Sequence, residues 1–285
     1  MITGNGRLPL LLAQSLRQEG RRPIVAIAHE QETDPALAGV VDELCWVRLG
    51  EFKKSFAFLH RHGVVDVVMA GGINKTKVWQ IRPDTLALRL AARLRHFHDD
   101  HLLRLVADAL AEQGFTVRGV GEILPQLLAP AGCLGQCQPS PVQWRDVALG
   151  WRAAKTLGGL DIGQGVVVRD GTVIAVEAIE GTDAMIARAA GLIKGGGGCL
   201  VKVAKPQQDH RLDLPTVGTT TLNRLANAGM KLLAVEAGAT LVVDPAEFIA
   251  LANRLSMVVV GLTGHELDEL ESLPTPVTGI WGKLP

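Results

Sequence analysis

The sequence lacks net charge, and this absence excludes partners that are attracted by the overall charge of a protein. Its 285 residues contain 29 Lys and Arg against 29 Asp and Glu, so the formal net charge at pH 7 is zero. A chain that binds nucleic acid or an anionic surface through its overall field carries an excess of positive charge. The composition therefore predicts no nucleic-acid partner, and any attraction to anions must come from local groups of side chains.

Cysteines and long apolar runs are scarce as well. The four cysteines, at positions 45, 133, 137 and 199, form neither a CxxC pair nor a zinc-ribbon pattern, and their spacing indicates no disulfide framework. No apolar run approaches the roughly 18 residues that a membrane-spanning helix requires, and no signal peptide is recognisable. These absences favour a soluble protein of the reducing cytoplasm.

A dinucleotide-binding fingerprint is also missing. Gly4-Asn5-Gly6 precedes a predicted helix, but the third glycine of GxGxxG is replaced by Pro9. Only Met1, Ile2 and Thr3 precede Gly4, which is too short a segment to indicate the strand that the fingerprint requires. The glycines are compatible with a tight turn or with a loop whose backbone N–H groups approach a phosphate. An oxidoreductase that uses a nicotinamide cofactor is therefore kept as an alternative function only.

What the sequence does contain is an alternation of short apolar strands and helices in its first part. Strands predicted at 23–27, 43–47 and 64–69 alternate with helices that carry apolar stripes. This alternation is typical of a parallel sheet that is covered by helices on both faces. We therefore predict an α/β fold with a Rossmann-like N-terminal domain over residues 1–124.

The composition changes after this domain. Residues 125–141 are rich in Pro, Gly, Gln and Cys with little periodicity, which is typical of a linker. Residues 142–262 mix helices with strands, and Asp170-Gly171 predicts a hairpin turn. We therefore predict a mixed α/β C-terminal catalytic domain over this range. The polar, proline-containing segment 263–285 is interpreted as a loosely attached tail.

The C-terminal region is dense in charged side chains and glycines. Three acids lie near the ends of predicted strands and could hold a hard divalent cation through oxygen: Glu180, Asp183 and Asp213. Three cations could neutralise phosphate oxygens: Lys202, Lys205 and Arg211. Each also has an ordinary explanation, since Asp183 can cap a helix and Lys202 can point outward from a strand. Their joint density favours a functional site, because such loops rarely serve packing alone.

A second motif suggests a different metal. His96-Phe97-His98-Asp99-Asp100-His101 matches the HxHxDH pattern of binuclear zinc hydrolases, whose imidazole and carboxylate groups bind zinc. Here the segment joins two predicted helices, and Asp99 is a good N-cap residue for the second helix. We interpret the motif as a helix start and keep a zinc hydrolase as an alternative.

Several segments together resemble one family, the UDP-2,3-diacylglucosamine pyrophosphatases. The similarity extends from Gly4 to about Gly261, and its C-terminal motifs are long enough to be specific. The matching segments are GNGRLP at 4–9, AGGINK at 70–75, DDHLLR at 99–104, LDIGQGVVV at 160–168, AVEAIEGTDAM at 175–185, VKVAKPQQDHRLDLPTVG at 201–218 and VEAG at 235–238.

The resemblance implies a Rossmann-like domain, a C-terminal domain with a fold of its own, and a hydrolase that acts on a phosphorus anhydride. Its reaction converts UDP-2,3-diacylglucosamine to UMP and 2,3-diacylglucosamine 1-phosphate during lipid A synthesis, with Mg or Mn as the cofactor. A homodimer and transient contact of a cytoplasmic protein with the inner face of the membrane are further expectations. The non-enzymatic alternative is a regulator that binds a nucleotide sugar.

The matched motifs also imply roles for individual residues. The catalytic aspartate of the family corresponds to Asp213, which together with Asp183 and Glu180 is the expected metal site. The residues expected to bind substrate are Gly4, Gly6, Asp100, Gln164, Thr182, Lys205, Gln208, Arg211 and Thr216.

The chain departs from the family pattern in two places. The full strand that precedes the glycine loop in the family is absent here, and the Gly-Asp-Asp motif of the family appears as His98-Asp99-Asp100. The second departure implies that this helix start contacts substrate differently from the family pattern, and the resemblance does not cover the tail beyond Gly261.

Overall fold

The computed structural model describes residues 1–73, 83–92 and 99–264, and in the last range the side chains from residue 102 onward. The chain divides into two compact units. The first unit comprises Met1–Leu128, Pro206–Gly218 and Ala239–Pro245, and the second comprises Ala129–Lys205, Thr219–Gly238 and the residues from Ala246 onward. Two short segments from the later part of the sequence therefore belong to the first unit, an arrangement that the sequence did not indicate.

The first unit contains a parallel sheet in the order β3-β2-β1-β4-β5. Its strands are β1 (Ile2–Thr3), β2 (Val25–His29), β3 (Glu43–Val47), β4 (Asp66–Ala70) and β5 (Thr116–Arg118). A separate parallel pair in this unit joins β10 (Thr216–Val217) to β12 (Leu241–Val242). Its helices are α1 (Leu8–Gln18), α2 (Phe52–Arg61), α3 (Thr85–Ala91), α4 (Asp99–Glu112) and α5 (Val120–Ile123). From β1 the chain adds β2 and β3 towards one edge of the sheet, and then β4 and β5 towards the other. Doubly wound folds have this strand order, which confirms the Rossmann-like prediction.

One expectation about this sheet is wrong. The glycine loop is preceded by a strand, because Ile2 and Thr3 pair in parallel with both β2 and β4 at the centre of the sheet. Two residues suffice here because each is held from both sides. Sequence patterning cannot identify such a strand, since a run of two residues has no detectable period.

Two apolar clusters cover the two faces of this sheet. Ala26 and Val68 belong to one cluster, whereas Val25, Ile27 and Val67 belong to the other. Successive side chains of a strand point to opposite faces, so a strand that is buried on both faces must be apolar throughout. This requirement explains the continuous apolar runs of the N-terminal region.

The second unit contains a six-stranded mixed sheet in the order β6-β13-β11-β9-β7-β8. Its strands are β6 (Gly132–Cys133), β7 (Gly165–Arg169), β8 (Thr172–Val176), β9 (Cys199–Lys202), β11 (Leu232–Glu236) and β13 (Val258–Leu262). The helices of this unit are α6 (Pro141–Gly159), α7 (Thr182–Leu192), α8 (Thr219–Asn227) and α9 (Pro245–Arg254). β9, β11 and β13 run parallel and the others pair antiparallel, which confirms a mixed α/β architecture.

The hairpin predicted at Asp170-Gly171 is present between β7 and β8. Both residues have positive φ angles, 49° and 73°, as a two-residue hairpin turn of type I′ requires. The buried carboxylate of Asp146 accepts hydrogen bonds from both of their backbone N–H groups, at 3.0 and 2.6 Å. The turn is therefore fixed both by its own sequence and by a side chain of α6.

The remaining segments bear on the other sequence-based expectations. The predicted linker, 125–141, contains a 3-10 turn at Pro125–Leu127 and strand β6, which pairs with β13. The predicted tail lies outside the described residues from position 265 onward. No helix in the described part of the chain is both long and apolar enough to cross a membrane.

Candidate functional site

The glycine loop follows β1, at the carboxyl edge of the parallel sheet. The N–H group of Gly4 donates to the carbonyl oxygen of Ala70, and a Cβ atom on Gly4 would lie 2.0 Å from the carbonyl oxygen of Gly72. Gly4 is thus required for the close approach of two backbone segments. Gly6 differs, because its φ angle is 86° and no atom lies within 4 Å of where its Cβ would be. Gly6 therefore faces open space at the start of α1, where a ligand can approach.

The segment that carries Asp213 runs over the first unit as the Asp213 loop (Pro206–Gly218). Within it, Leu212 and Leu214 are buried, each 8% exposed, whereas Arg211 and Asp213 are exposed. Leu212 packs into one apolar cluster of the first unit and Leu214 into the other. This alternation of apolar and charged residues fixes the outward direction of Asp213.

Asp213 is held by a neighbouring amide. Nε2 of Gln208 donates to Oδ2 of Asp213 at 3.1 Å, and Gln208 itself is buried. The carbonyl oxygen of Asp209 accepts from the N–H groups of Leu212 and Asp213, at 2.9 and 3.3 Å, and so closes the turn between them. The structure therefore brings together two of the residues that the sequence assigned to the site.

Arg211 is also fixed within this loop, although by a residue that the sequence analysis did not select. Its guanidinium group donates to both oxygens of Asp209, from Nε at 3.0 Å and from Nη2 at 2.7 Å. This bidentate pairing lowers the pKa of the Asp209 carboxyl, chiefly through the side-chain hydrogen bond. Asp209 is thus ionised at neutral pH and orients the Arg211 cation.

A small depression lies beside Asp213. Its volume is about 10 Å³, which is close to the least that holds one water molecule and far below that of a sugar. Arg104 from α4 lies at its edge, and Nη2 of that residue donates to the carbonyl oxygen of Gln207. The residues that line it are Leu103, Arg104, Gln208, Asp209, Leu212 and Asp213.

The other two predicted metal ligands lie in the second unit and are bound by arginines. Oε1 of Glu180 lies 2.7 Å from Nη2 of Arg188, and Oδ1 of Asp183 lies 2.9 Å from Nε of Arg224. The Arg188 hydrogen bond lowers the pKa of the Glu180 carboxyl. Asp183 also occupies the first turn of α7, where a negative charge is favourable.

Among the described residues, no three His, Cys, Asp or Glu side chains are placed to hold one metal ion. The set Glu180, Asp183 and Asp213 stays a prediction.

The cations of the second unit are more buried than expected. The interpretation that Lys202 points outward is wrong, because this residue of β9 is 8% exposed and lies within the apolar sheet. Lys205 is half-buried, and its Nζ donates to Oδ1 of Asp161. Phosphate binding by either lysine stays a prediction.

The remaining predicted substrate ligands have varied surroundings. The hydroxyl of Thr216 donates to the carbonyl oxygen of Leu214 at 3.1 Å. Gln164 accepts from the N–H group of Val203 through its backbone, and its side-chain Oε1 is buried without a hydrogen-bond partner among the described residues. The side chain of Asp100 lies outside the described part of the structure, as do the other side chains of the HxHxDH motif at 96–101.

Sequence reasoning missed Glu177. This residue follows β8, is 7% exposed, and accepts a hydrogen bond from the Thr182 hydroxyl at 2.7 Å. Two glycines before and at the start of β7, Gly163 and Gly165, pack directly against it. The sequence does contain a signal, an acid that follows an apolar strand within a matched motif, but the polar segment 180–183 indicates Glu180 and Asp183 more strongly.

Comparison with known proteins adds evidence that is independent of this geometry. The model of the LpxI N-terminal domain matches residues 1–127, and the model of the LpxI C-terminal domain matches residues 130–260. A curated protein of Caulobacter vibrioides, UDP-2,3-diacylglucosamine pyrophosphatase LpxI, is 37% identical to the chain. The similarity covers 93% of this chain and 98% of that protein.

Proposed function

The chain belongs to the LpxI family, and from this we propose that it hydrolyses the pyrophosphate of UDP-2,3-diacylglucosamine to UMP and 2,3-diacylglucosamine 1-phosphate, a step of lipid A synthesis. The observation that carries the proposal is the Asp213 loop. There a carboxylate that corresponds to the catalytic aspartate of the family is exposed, oriented by Gln208 and flanked by two buried leucines.

The chemistry of this loop suits hydrolysis of an anhydride. The reaction needs a water molecule, an acceptor for its proton and positive charge near the phosphate that leaves. The depression beside Asp213 has room for one water, and the carboxylate is placed to orient it. Arg104 at its edge and Arg211 in the loop supply guanidinium groups that can bind phosphate oxygens bidentately. Lys205 of the second unit is a separate candidate for binding phosphate oxygens, and Asp161 holds its ammonium group in place.

Release of UMP tests the proposal. Purified protein is incubated with UDP-2,3-diacylglucosamine and Mg or Mn, and UMP is measured for the wild type and for Asp213→Ala. Glu122→Gln is the matched control, because it also removes one exposed carboxylate of the first unit, one that pairs with Arg118. We expect UMP from the wild type and the control but not from Asp213→Ala. A folded wild-type protein that binds the substrate and releases no UMP would indicate the non-enzymatic regulator instead.

We also propose that Mg or Mn takes part. Mg²⁺ in proteins is usually held by one or two carboxylates together with water and the phosphates of the substrate. Asp213 has the oxygen donors for such an ion, and the bound substrate would provide further ligands. When bound, the ion would neutralise charge on the pyrophosphate. We expect chelation with EDTA to abolish UMP release and added Mg or Mn to restore it, and full activity after chelation would refute the requirement.

The expectations about assembly and location are further proposals. We propose a cytoplasmic homodimer that touches the inner face of the membrane transiently, because the acylated substrate resides there. An apolar side chain that suits such contact is Ile179, which is 87% exposed. We expect light scattering to give the mass of a dimer. We also expect sedimentation with lipid vesicles to be lower for Ile179→Ser than for the wild type.

A further inference from the structure

Glu177 has a buried carboxylate, and only one of its two oxygens accepts a hydrogen bond from a described residue. Its Oε1 accepts the Thr182 hydroxyl, whereas its Oε2 is buried without a hydrogen-bond partner among the described residues. A buried oxygen without a partner costs free energy, so its retention calls for an explanation. The start of α7 beside Thr182 reduces this cost, because a helix N-terminus stabilises a nearby negative charge.

Two glycines from a separate segment of the chain pack against Glu177. A Cβ atom on Gly163 would lie 2.1 Å from the carbonyl oxygen of Glu177, and one on Gly165 would lie 2.7 Å from its Oε2. Lys202 is the residue directly opposite Gly165 in the antiparallel pairing of β7 with β9, so it leaves the sheet on the same face. Residues of two matched motifs therefore meet at Glu177, and both glycines are needed for it to fit.

The hydrogen bond to Glu177 decides what Thr182 can recognise. A hydroxyl group has one proton to donate and two lone pairs that accept. Because the proton of Thr182 is committed to the carboxylate, its oxygen can offer only lone pairs to another molecule. It cannot donate to a phosphate oxygen in this arrangement, and it is suited to a hydroxyl or N–H group.

We propose that Glu177 is a positioning residue that turns the Thr182 hydroxyl into an acceptor for a hydroxyl or N–H group of the substrate. The inference depends on the proposed function, because it takes Thr182 to be part of the substrate site. The donor belongs either to the uridine half of the substrate or to the glucosamine half, since both carry such groups. The pyrophosphate between them carries only acceptors at neutral pH.

Binding of the two products separates these sources. Calorimetry with UMP, and separately with 2,3-diacylglucosamine 1-phosphate, is carried out on the wild type, Thr182→Val and Thr182→Ser. We expect Thr182→Val to weaken binding of one product roughly tenfold and to leave the other unchanged, because one hydrogen bond is lost. Thr182→Ser keeps the hydroxyl and should restore binding. In turnover, Thr182→Val should raise KM more than it lowers kcat.

Variants of Glu177 test the positioning role itself. In Glu177→Gln the side-chain amide can donate to Thr182 and turn the hydroxyl proton outward, so we expect the same product to bind roughly tenfold more weakly. Glu177→Asp should weaken binding of the same product, because its shorter side chain no longer reaches Thr182. This variant provides the test if Glu177→Gln does not fold. Neither change should add to the effect of Thr182→Val. Asp170→Asn, in the hairpin turn that precedes β8, is the matched control and should bind both products normally.

Two results would overturn the proposal. One is unchanged binding of both products by Thr182→Val. The other is an equal loss for both products in the Glu177 variants together with a lower melting temperature, which would indicate a structural role only. Failure of the proposed function is distinguishable, because the wild type would then release no UMP at all.

Discussion

The Asp213 loop of the first unit and the segment 177–183 of the second unit hold their acids in different ways. Asp213 is fixed by its neighbours, since Leu212 and Leu214 anchor the backbone in two apolar clusters and Gln208 holds the carboxylate. Glu180 and Asp183 are fixed by charge, through ion pairs with Arg188 and Arg224.

This difference bears on which acid can act in a reaction. An acid anchored by its backbone can change its contacts during catalysis while the loop stays in place. An acid bound to an arginine must first give up its ion pair before it can take another partner. Asp213 is therefore the acid best prepared to orient a water molecule, whereas Glu180 and Asp183 must be released before they can bind a metal ion.

The largest expected effect separates these acids directly. We expect Asp213→Asn to lower kcat by about a thousandfold, since its neutral amide cannot accept a proton from water. Glu180→Gln and Asp183→Asn should lower kcat by no more than about tenfold, because each removes a group already held by an arginine. The measurement is the rate of UMP release at saturating substrate, with circular dichroism to show that each variant folds.

The comparison fails if Glu180→Gln or Asp183→Asn is as inactive as Asp213→Asn. Such a result would favour the predicted metal set of all three acids, and EDTA titration of the remaining variants would then show whether their apparent metal affinity has fallen.

The sequence predicted the fold well where periodicity is a direct consequence of burial. The strands of the parallel sheet are apolar throughout because both of their faces are covered, and the Asp-Gly turn follows from backbone geometry. It could not reveal β1, because two residues have no period. It also did not place residues 206–218 in the first unit, because that assignment depends on where Leu212 and Leu214 pack.

The candidate site was predicted less completely, for a related reason. Charge density selects Asp213, Arg211 and Lys205 as candidates, since polar residues in glycine-rich loops are visible in any sequence. Glu177 was missed because its importance lies in burial, and burial depends on Gly163 and Gly165 approaching it from another segment. A single sequence does not show which segments meet.

A smaller effect tests the anchoring of the Asp213 loop. Leu212→Ala removes a buried side chain from the cluster that contains Leu110 and Phe115, so we expect the free energy of unfolding to fall by about 2–4 kcal/mol. Because the anchor also directs Asp213, kcat should fall as well. Urea denaturation and UMP release measure the two effects.

Leu212→Met is the control for this change, because it conserves volume and should cost less than about 1.5 kcal/mol. An alanine variant with lower stability but unchanged kcat would show that Asp213 keeps its direction without the leucine, and the backbone anchoring argued above would be wrong.

The smallest effect concerns the Glu180 ion pair and its dependence on pH. Arg188 lowers the pKa of the Glu180 carboxyl below its ordinary value of 4.5 in the folded protein. A lowered folded pKa adds stability above the unfolded pKa, and this contribution disappears as the pH falls through the folded value. We therefore expect Arg188→Ala to be slightly less stable than the wild type at neutral pH, with the difference vanishing in acid. Carboxyl NMR should show the pKa of Glu180 rising towards 4.5 in the variant. The titration of the wild type is then repeated with Mg²⁺. An ion bound by Glu180 would lower the pKa of its carboxyl further. An unchanged pKa would show that Glu180 keeps its ion pair with Arg188 and binds no ion.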